Sequence, residues 1–215
     1  MPRRKIPNSN VHFYHLGARS INKERFKLDL KEAYEIFCTE LLFHVATGDL
    51  EVAAFVVMSN HFHLIARAPI RPVSDVMRDF MKSITLIFNF ESHRINQVFG
   101  GPHHKTIVYD LRYYTTLYKY IYRNPVAAGI VDRAEDYPYS TLGEVIGKRS
   151  FIVPVHDEDI LSRTNLTGFL DWINRPTSIE KVSAIKTALR HTQFQFPNVK
   201  DGKNIDLISD DAPPL

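Results

Sequence analysis

A switch between two hydrophobic periods, repeated in one order across residues 10–131, restricts this chain more than any other feature. The stretch NVHFYHLGAR, Asn10–Arg19, is rich in aromatic and β-branched residues around a glycine, which marks a strand. From Glu24 to Ala46 the apolar residues Phe26, Leu30, Ala33, Phe37 and Leu41 recur at helical spacing, and Gly48-Asp49 stops the helix. Leu50–Ser59 reads as a second strand and His61–Pro69 as a third, joined by a tight turn at Ser59-Asn60. Pro72–Arg94 returns to helical spacing, with Ser74 or Asp75 as its cap. His104–Asp110 is a short strand. Leu111–Val131 is a third helix, broken near Asn124 because Pro125 disfavours helical geometry in the residue before it. The order β-α-β-β-α-β followed by a helix predicts an α+β fold of the ferredoxin-like, split β-α-β kind. Such a fold has an antiparallel sheet, helices on one face and, here, an added helix.

Composition narrows the setting. Of the 215 residues 44% are hydrophobic, enough for a packed core. The single cysteine, Cys38, excludes a disulfide framework and a zinc-thiolate cage, which fits a reducing compartment. No apolar run reaches the roughly 20 residues of a membrane span, and the basic N-terminus lacks the apolar stretch of a secretory signal. The expected location is the cytoplasm. Residues 1–150 hold 20 Lys and Arg against 15 Asp and Glu, net +5; residues 151–215 hold 7 against 9, net −2. A mildly basic body suits a polyanion, although such a charge is ordinary for a domain of this size. After about Lys148 the patterns weaken. The division is therefore a body at 1–148 and an extension at 149–215 with short helices at Leu166–Arg175 and Ser178–His191 and a mobile tail.

Within the third strand, VVMSNHFHLIA carries His61 and His63 one residue apart. Alternate strand residues share a face, so both imidazoles project together and Phe62 points the other way. Two nitrogen donors side by side suit a divalent metal; strand histidines more often serve only as hydrogen-bonded side chains. A third donor would have to come from elsewhere. On the third helix Tyr120 and Asn124 are four residues apart and share a face. Asn124 offers a neutral carbonyl oxygen and Tyr120 a phenol, in a stretch where Tyr113, Tyr114, Tyr118 and Tyr122 crowd alongside.

These stretches resemble a known family. MSNHFHLIA is similar to the Met-Pro-Asn-His-hydrophobe-His motif of the HUH single-tyrosine transposases. YIYRNPVAAGIVDRAEDYPYST is similar to their Tyr-x-x-x-Asn-Pro-Val-x-Ala-Gly motif and the Tyr-Pro-x-Ser segment after it. The branch most resembled is the REP-associated tyrosine transposases, over roughly residues 10–142. Ser59 departs from the usual proline, Gln97–Thr106 from the commoner arginine-rich loop, and the C-terminal region matches only faintly. The resemblance implies His61, His63 and Asn124 as ligands of Mg²⁺ or Mn²⁺, and Tyr120 as nucleophile. It implies cleavage of single-stranded DNA beside a hairpin, leaving a 5′-phosphotyrosine and a free 3′-hydroxyl, by a protein that acts as a monomer, with a dimer as the other arrangement in related transposases.

Phosphate contacts are expected from Arg3, Arg4 and Lys5, from Arg19, Lys23 and Arg25, and from Lys82, Lys105, Arg112, Lys119 and Arg123. His103 and His104 could add to these contacts or serve only as loop histidines, and the loop reading is preferred. Three other readings stand beside the enzyme: a hairpin-binding protein on the same fold without activity, a ferredoxin-like RNA-binding module, and a metalloprotein with no DNA role. An RNA-binding module leaves the histidine pair unexplained and lacks the usual aromatics on adjacent strands.

Overall fold

The computed structural model describes residues 8–150, 152–156 and 165–196. Arg3, Arg4, Lys5 and the tail after residue 196 lie outside the described residues. Four antiparallel strands form the sheet: β1 (Tyr14–Arg19), β2 (Glu51–Val57), β3 (His61–Arg67) and β4 (His104–Ile107), in the order β2-β3-β1-β4. With helices α1 (Leu30–Ala46) and α2 (Val73–Glu91) this is the ferredoxin-like arrangement that the periodicity predicts. Among the described residues no helix is long and apolar enough to cross a membrane.

The local chemistry explains most of the boundaries. Asp29 caps α1 by accepting the Lys31 N–H at 2.8 Å, and Gly48, at φ +76°, ends the turn after it. Met58 N–H donates to the His61 carbonyl at 2.8 Å, which closes the β2–β3 hairpin over Ser59 and Asn60. The capping expectation for α2 fails. Its N-cap is Pro72, with no side-chain hydrogen bond. Ser74 instead accepts from Lys105 Nζ at 2.6 Å, and Asp75 pairs with Arg78 at 2.9 Å. Pro72 fits there because the N–H groups of Asp75 and Val76 can use its carbonyl. Strand β1 is also shorter than the apolar pattern that suggested it: it begins at Tyr14, and before it the Phe13 carbonyl reaches the neighbouring segment, accepting the Val108 N–H at 2.9 Å.

Two cores sit on opposite faces of this sheet. Tyr14, Leu16 and Ala18 of β1 and Phe62, Leu64 and Ala66 of β3 point to the α1–α2 side, where Phe37, Phe80 and Phe88 fill the layer. An irregularity between Val52 and Ala54 in β2 lets Ala53, Ala54 and Val56 serve the other side. That second face is covered by α3 (Leu111–Tyr122) and by the extension. The helices therefore flank the sheet on both sides, with α3 opposite α1 and α2. After α3 come the short α4 (Asn124–Ala127) and α5 (Leu142–Val145), then α6 (Leu166–Asn174) and α7 (Ile179–Ala188). Phe169, Trp172 and Ile185 from the last two helices share the α3 core.

Candidate functional site

The two sheet faces differ in chemistry as well as in cover. On the α3 side, β3 presents His61, His63 and Ile65, and β1 presents His15, Gly17 and Arg19, with Gly17 opposite His63 and Arg19 opposite His61. Gly17 is required by this register. A Cβ there would come within 2.7 Å of the Phe62 carbonyl oxygen and 3.9 Å of His63 Nδ1. The rings of His61 and His63 lie 5.1 Å apart between centroids, nearly perpendicular. Strand parity put them on one face, and the sheet keeps them there.

Each imidazole is held from behind. Asn60 Nδ2 donates to the Lys23 carbonyl at 2.7 Å, which orients the amide so that its oxygen meets His61 Nδ1 at 2.7 Å. His61 therefore donates from Nδ1, leaving Nε2 with a lone pair. His63 Nδ1 lies 2.9 Å from His15 Nε2. Neither His15 nor Asn60 stood out as a site residue in the sequence. For Asn60 the available signal was its place beside His61; for His15, 48 residues from His63, only the sheet register carries it.

Tyr120 closes the arrangement from α3. Its ring lies 6.1 Å from that of His63, in an edge-on geometry. The neighbouring tyrosines go elsewhere: Tyr118 and Tyr122 are buried in the core, Tyr114 packs on Phe13, and Tyr113 lies 5.4 Å from both Phe194 and Phe196. Asn124 sits where α3 gives way to α4. Pro125 has no N–H for the Ile121 carbonyl, and Asn124 Nδ2 donates to the carbonyls of Tyr120 at 3.0 Å and Ile121 at 3.4 Å. Its amide nitrogen is thus committed to the helix end, and its carbonyl oxygen is the end available to a ligand.

The donor set fits a divalent cation by its chemistry. Two imidazole nitrogens backed by hydrogen bonds, with one amide oxygen, are neutral donors of the kind Mn²⁺ accepts. Among the described residues no group of three His, Cys, Asp or Glu that could hold a metal ion converges.

Burial sets the electrostatics. It lowers His15 and His61 to about 4 and takes His63 well below its ordinary value, so all three are neutral at pH 7. It raises the Tyr120 phenol, an effect that the nearby Arg19 charge opposes. For a histidine depressed by burial the unfolded chain takes up a proton near pH 6.5 that the fold refuses. Its contribution is whole above that pH and shrinks as pH falls toward 4. The melting temperature of the metal-free protein should therefore drop between pH 7 and pH 5, and His61→Gln should make that drop shallower. Identical slopes for the two proteins would show that the His61 ring is not desolvated.

The expected phosphate contacts divide into three groups. Arg19, Lys23 and Lys105 line one open groove beside β4, together with His103, His104 and, from the extension, Arg190. Arg25, Lys82 and Arg112 are exposed, the last paired with Asp110 at 3.3 Å. Lys119 is a correction, and Arg123 is half-buried and partly engaged within the protein. Lys119 is 1% exposed, with its ammonium 5.8 Å from the Trp172 ring centroid. Arg123 donates to the Ile173 carbonyl at 3.2 Å and to that of Asn174, so its guanidinium holds the end of α6. Both looked like surface cations because their desolvating partners lie some 50 residues away in sequence. Arg190, which no local pattern sets apart from any arginine near a helix end, joins that groove only through the tertiary structure. The segment Tyr137–Thr141, within the second resembling motif, is structural here: Val57 N–H donates to the Tyr139 carbonyl at 3.0 Å, and the Tyr137 hydroxyl donates to the Val57 carbonyl at 2.7 Å.

A solved structure of a REP-associated tyrosine transposase bound to a REP hairpin is similar to this chain, with a TM-score of 0.56 over 77% of this chain and 98% of that one. The likeness is one of fold. Sequence identity to the transposase is 19%. No family model matches the chain, and no curated protein matches it in sequence. The match to the transposase spans nearly all of that chain, so the shared fold includes more than the sheet and its first two helices.

Proposed function

We propose that this protein is a metal-dependent endonuclease and strand transferase for single-stranded DNA at hairpins, with Tyr120 as nucleophile and His61, His63 and Asn124 as ligands of Mg²⁺ or Mn²⁺. The carrying observation is the Tyr120 ring 6.1 Å from His63, on the sheet face that also presents His61. The transposase of similar fold was solved bound to a REP hairpin, which supports a hairpin as partner here too.

The chemistry follows from the groups present. A bound divalent cation supplies Lewis acidity toward a phosphate oxygen. His61 and His63 are neutral, so they would leave that cation its full charge. The Tyr120 oxygen forms the new bond to phosphorus while the bond from phosphorus to the 3′ oxygen breaks. The 3′ oxygen leaves with a proton as a hydroxyl, and the 5′ phosphate stays on tyrosine. Because burial raises the phenol, ionisation of Tyr120 needs positive charge beside it, and Arg19 already acts in that direction. The ester conserves the bond energy, so a second 3′-hydroxyl can reverse the step without ATP. Arg19, Lys23 and Lys105 along the groove would guide the backbone toward the site.

A denaturing gel of the protein incubated with Mn²⁺ and hairpin-bearing single-stranded DNA tests the proposal. A covalent adduct is expected with that DNA and little with perfect duplex. Affinity should fall steeply with salt, as phosphate contacts release counterions. Binding without adduct would leave a hairpin-binding protein lacking activity. Equal cutting of duplex and hairpin substrates would point to an ordinary nuclease.

A further inference from the structure

We infer that His15 is a positioning residue for His63: it accepts the Nδ1 proton of His63 and thereby keeps His63 in the tautomer whose Nε2 is bare. The inference rests on the function proposed above and names a residue outside both resembling motifs.

The argument begins with proton count. His15 Nε2 and His63 Nδ1 are 2.9 Å apart, so one nitrogen donates and the other accepts. If His15 donates, neutral His63 carries its own proton on Nε2, and that nitrogen cannot ligate a cation. If His63 donates, its Nε2 keeps a lone pair. The second arrangement repeats at His63 what is already settled at His61, whose Nδ1 proton goes to Asn60 because the Asn60 amide is oriented by Lys23. The two adjacent imidazoles then expose the same nitrogen.

The sheet builds this contact deliberately into its interior. His15 is 5% exposed, and the two rings lie 5.1 Å apart between centroids, tilted by 40°. Gly17, two residues along β1, stands opposite His63 in the register. A side chain there would meet the Phe62 carbonyl and approach the same His63 Nδ1 that His15 contacts. An imidazole at 15 and no side chain at 17 together define the nitrogen's surroundings. A hydrogen bond to the ring nitrogen opposite the metal fixes the tautomer and orientation of a ligating histidine, and its loss costs about 10–100-fold in affinity.

Two variants of the full-length chain separate an acceptor from a filler. His15→Gln keeps an acceptor oxygen at about the reach of Nε2; His15→Phe keeps a ring and loses the acceptor. Free Mn²⁺ measured by electron paramagnetic resonance, without DNA, gives the affinity of each. His15→Phe should bind about 10–100-fold more weakly than wild type, and His15→Gln should recover most of that loss. A packing role predicts the reverse order, with phenylalanine the better substitute, and that order would overturn the inference. Wild-type protein offers a check that needs no variant. In the metal-free protein, nitrogen-15 spectra of labelled histidines should place the His63 proton on Nδ1 and leave His15 Nε2 bare; a His63 proton on Nε2 overturns the inference. If wild type binds Mn²⁺ and His15→Phe binds it equally, only the role of His15 fails. If wild type binds no Mn²⁺ at millimolar concentration, the proposed metal site fails and takes this inference with it.

Discussion

Tyr120→Phe should abolish the covalent protein–DNA adduct, and strand transfer should fall with it by at least about 10³-fold, the order expected when a nucleophile is removed. The substitution deletes one oxygen and keeps the ring, including its edge-on contact with His63 at 6.1 Å. Folding, hairpin affinity and Mn²⁺ binding should therefore persist, and a filter-binding measurement beside the denaturing gel separates binding from chemistry. The other tyrosines of α3 supply the controls. Tyr118 is fully buried and so is not placed to substitute, and Tyr113 packs edge-on against Phe194 and Phe196. A denaturant-resistant adduct in Tyr120→Phe would move the nucleophile elsewhere, and Tyr113→Phe would be the first variant to examine.

His61→Ala and His63→Ala should each lose the adduct and the upward melting shift that Mn²⁺ gives wild type. A ligand at a hundredfold its dissociation constant stabilises by about 2.7 kcal/mol, readily seen in a thermal scan. The two variants should differ without metal. His61 lies at the partly exposed end of β3, whereas removing His63 leaves the buried His15 Nε2 without its partner. An unsatisfied buried polar group costs about 1–3 kcal/mol, so His63→Ala should melt lower. Asn124→Ala should weaken metal binding less, because water can take the place of a neutral oxygen. It should nevertheless loosen the end of α3, since the Asn124 amide holds the carbonyls of Tyr120 and Ile121. Full activity in both alanine variants, with no Mn²⁺ shift in wild type, would end the metal reading.

What was legible in the sequence is whatever a single element reports about itself. Alternation in HFHLIAR puts His61 and His63 on one face of β3, and that parity follows from the strand geometry alone. Helical spacing puts Tyr120 and Asn124 on one side of their helix, and Pro125 marks where that helix must break. The succession of periods was enough for the element order and so for the α+β class. Periodicity, however, says which side of an element is apolar and not what covers it. Only the tertiary structure decided that α3 packs on the sheet face opposite α1 and α2, and that the extension shares its core. The same limit hid Lys119 and Arg123, whose partners at Trp172, Ile173 and Asn174 come from a distant helix. It also hid His15. Pairing of β1 with β3 in one register brings His15 Nε2 to His63 Nδ1 across 48 residues of sequence, and a slip of one residue would turn the two rings to opposite faces.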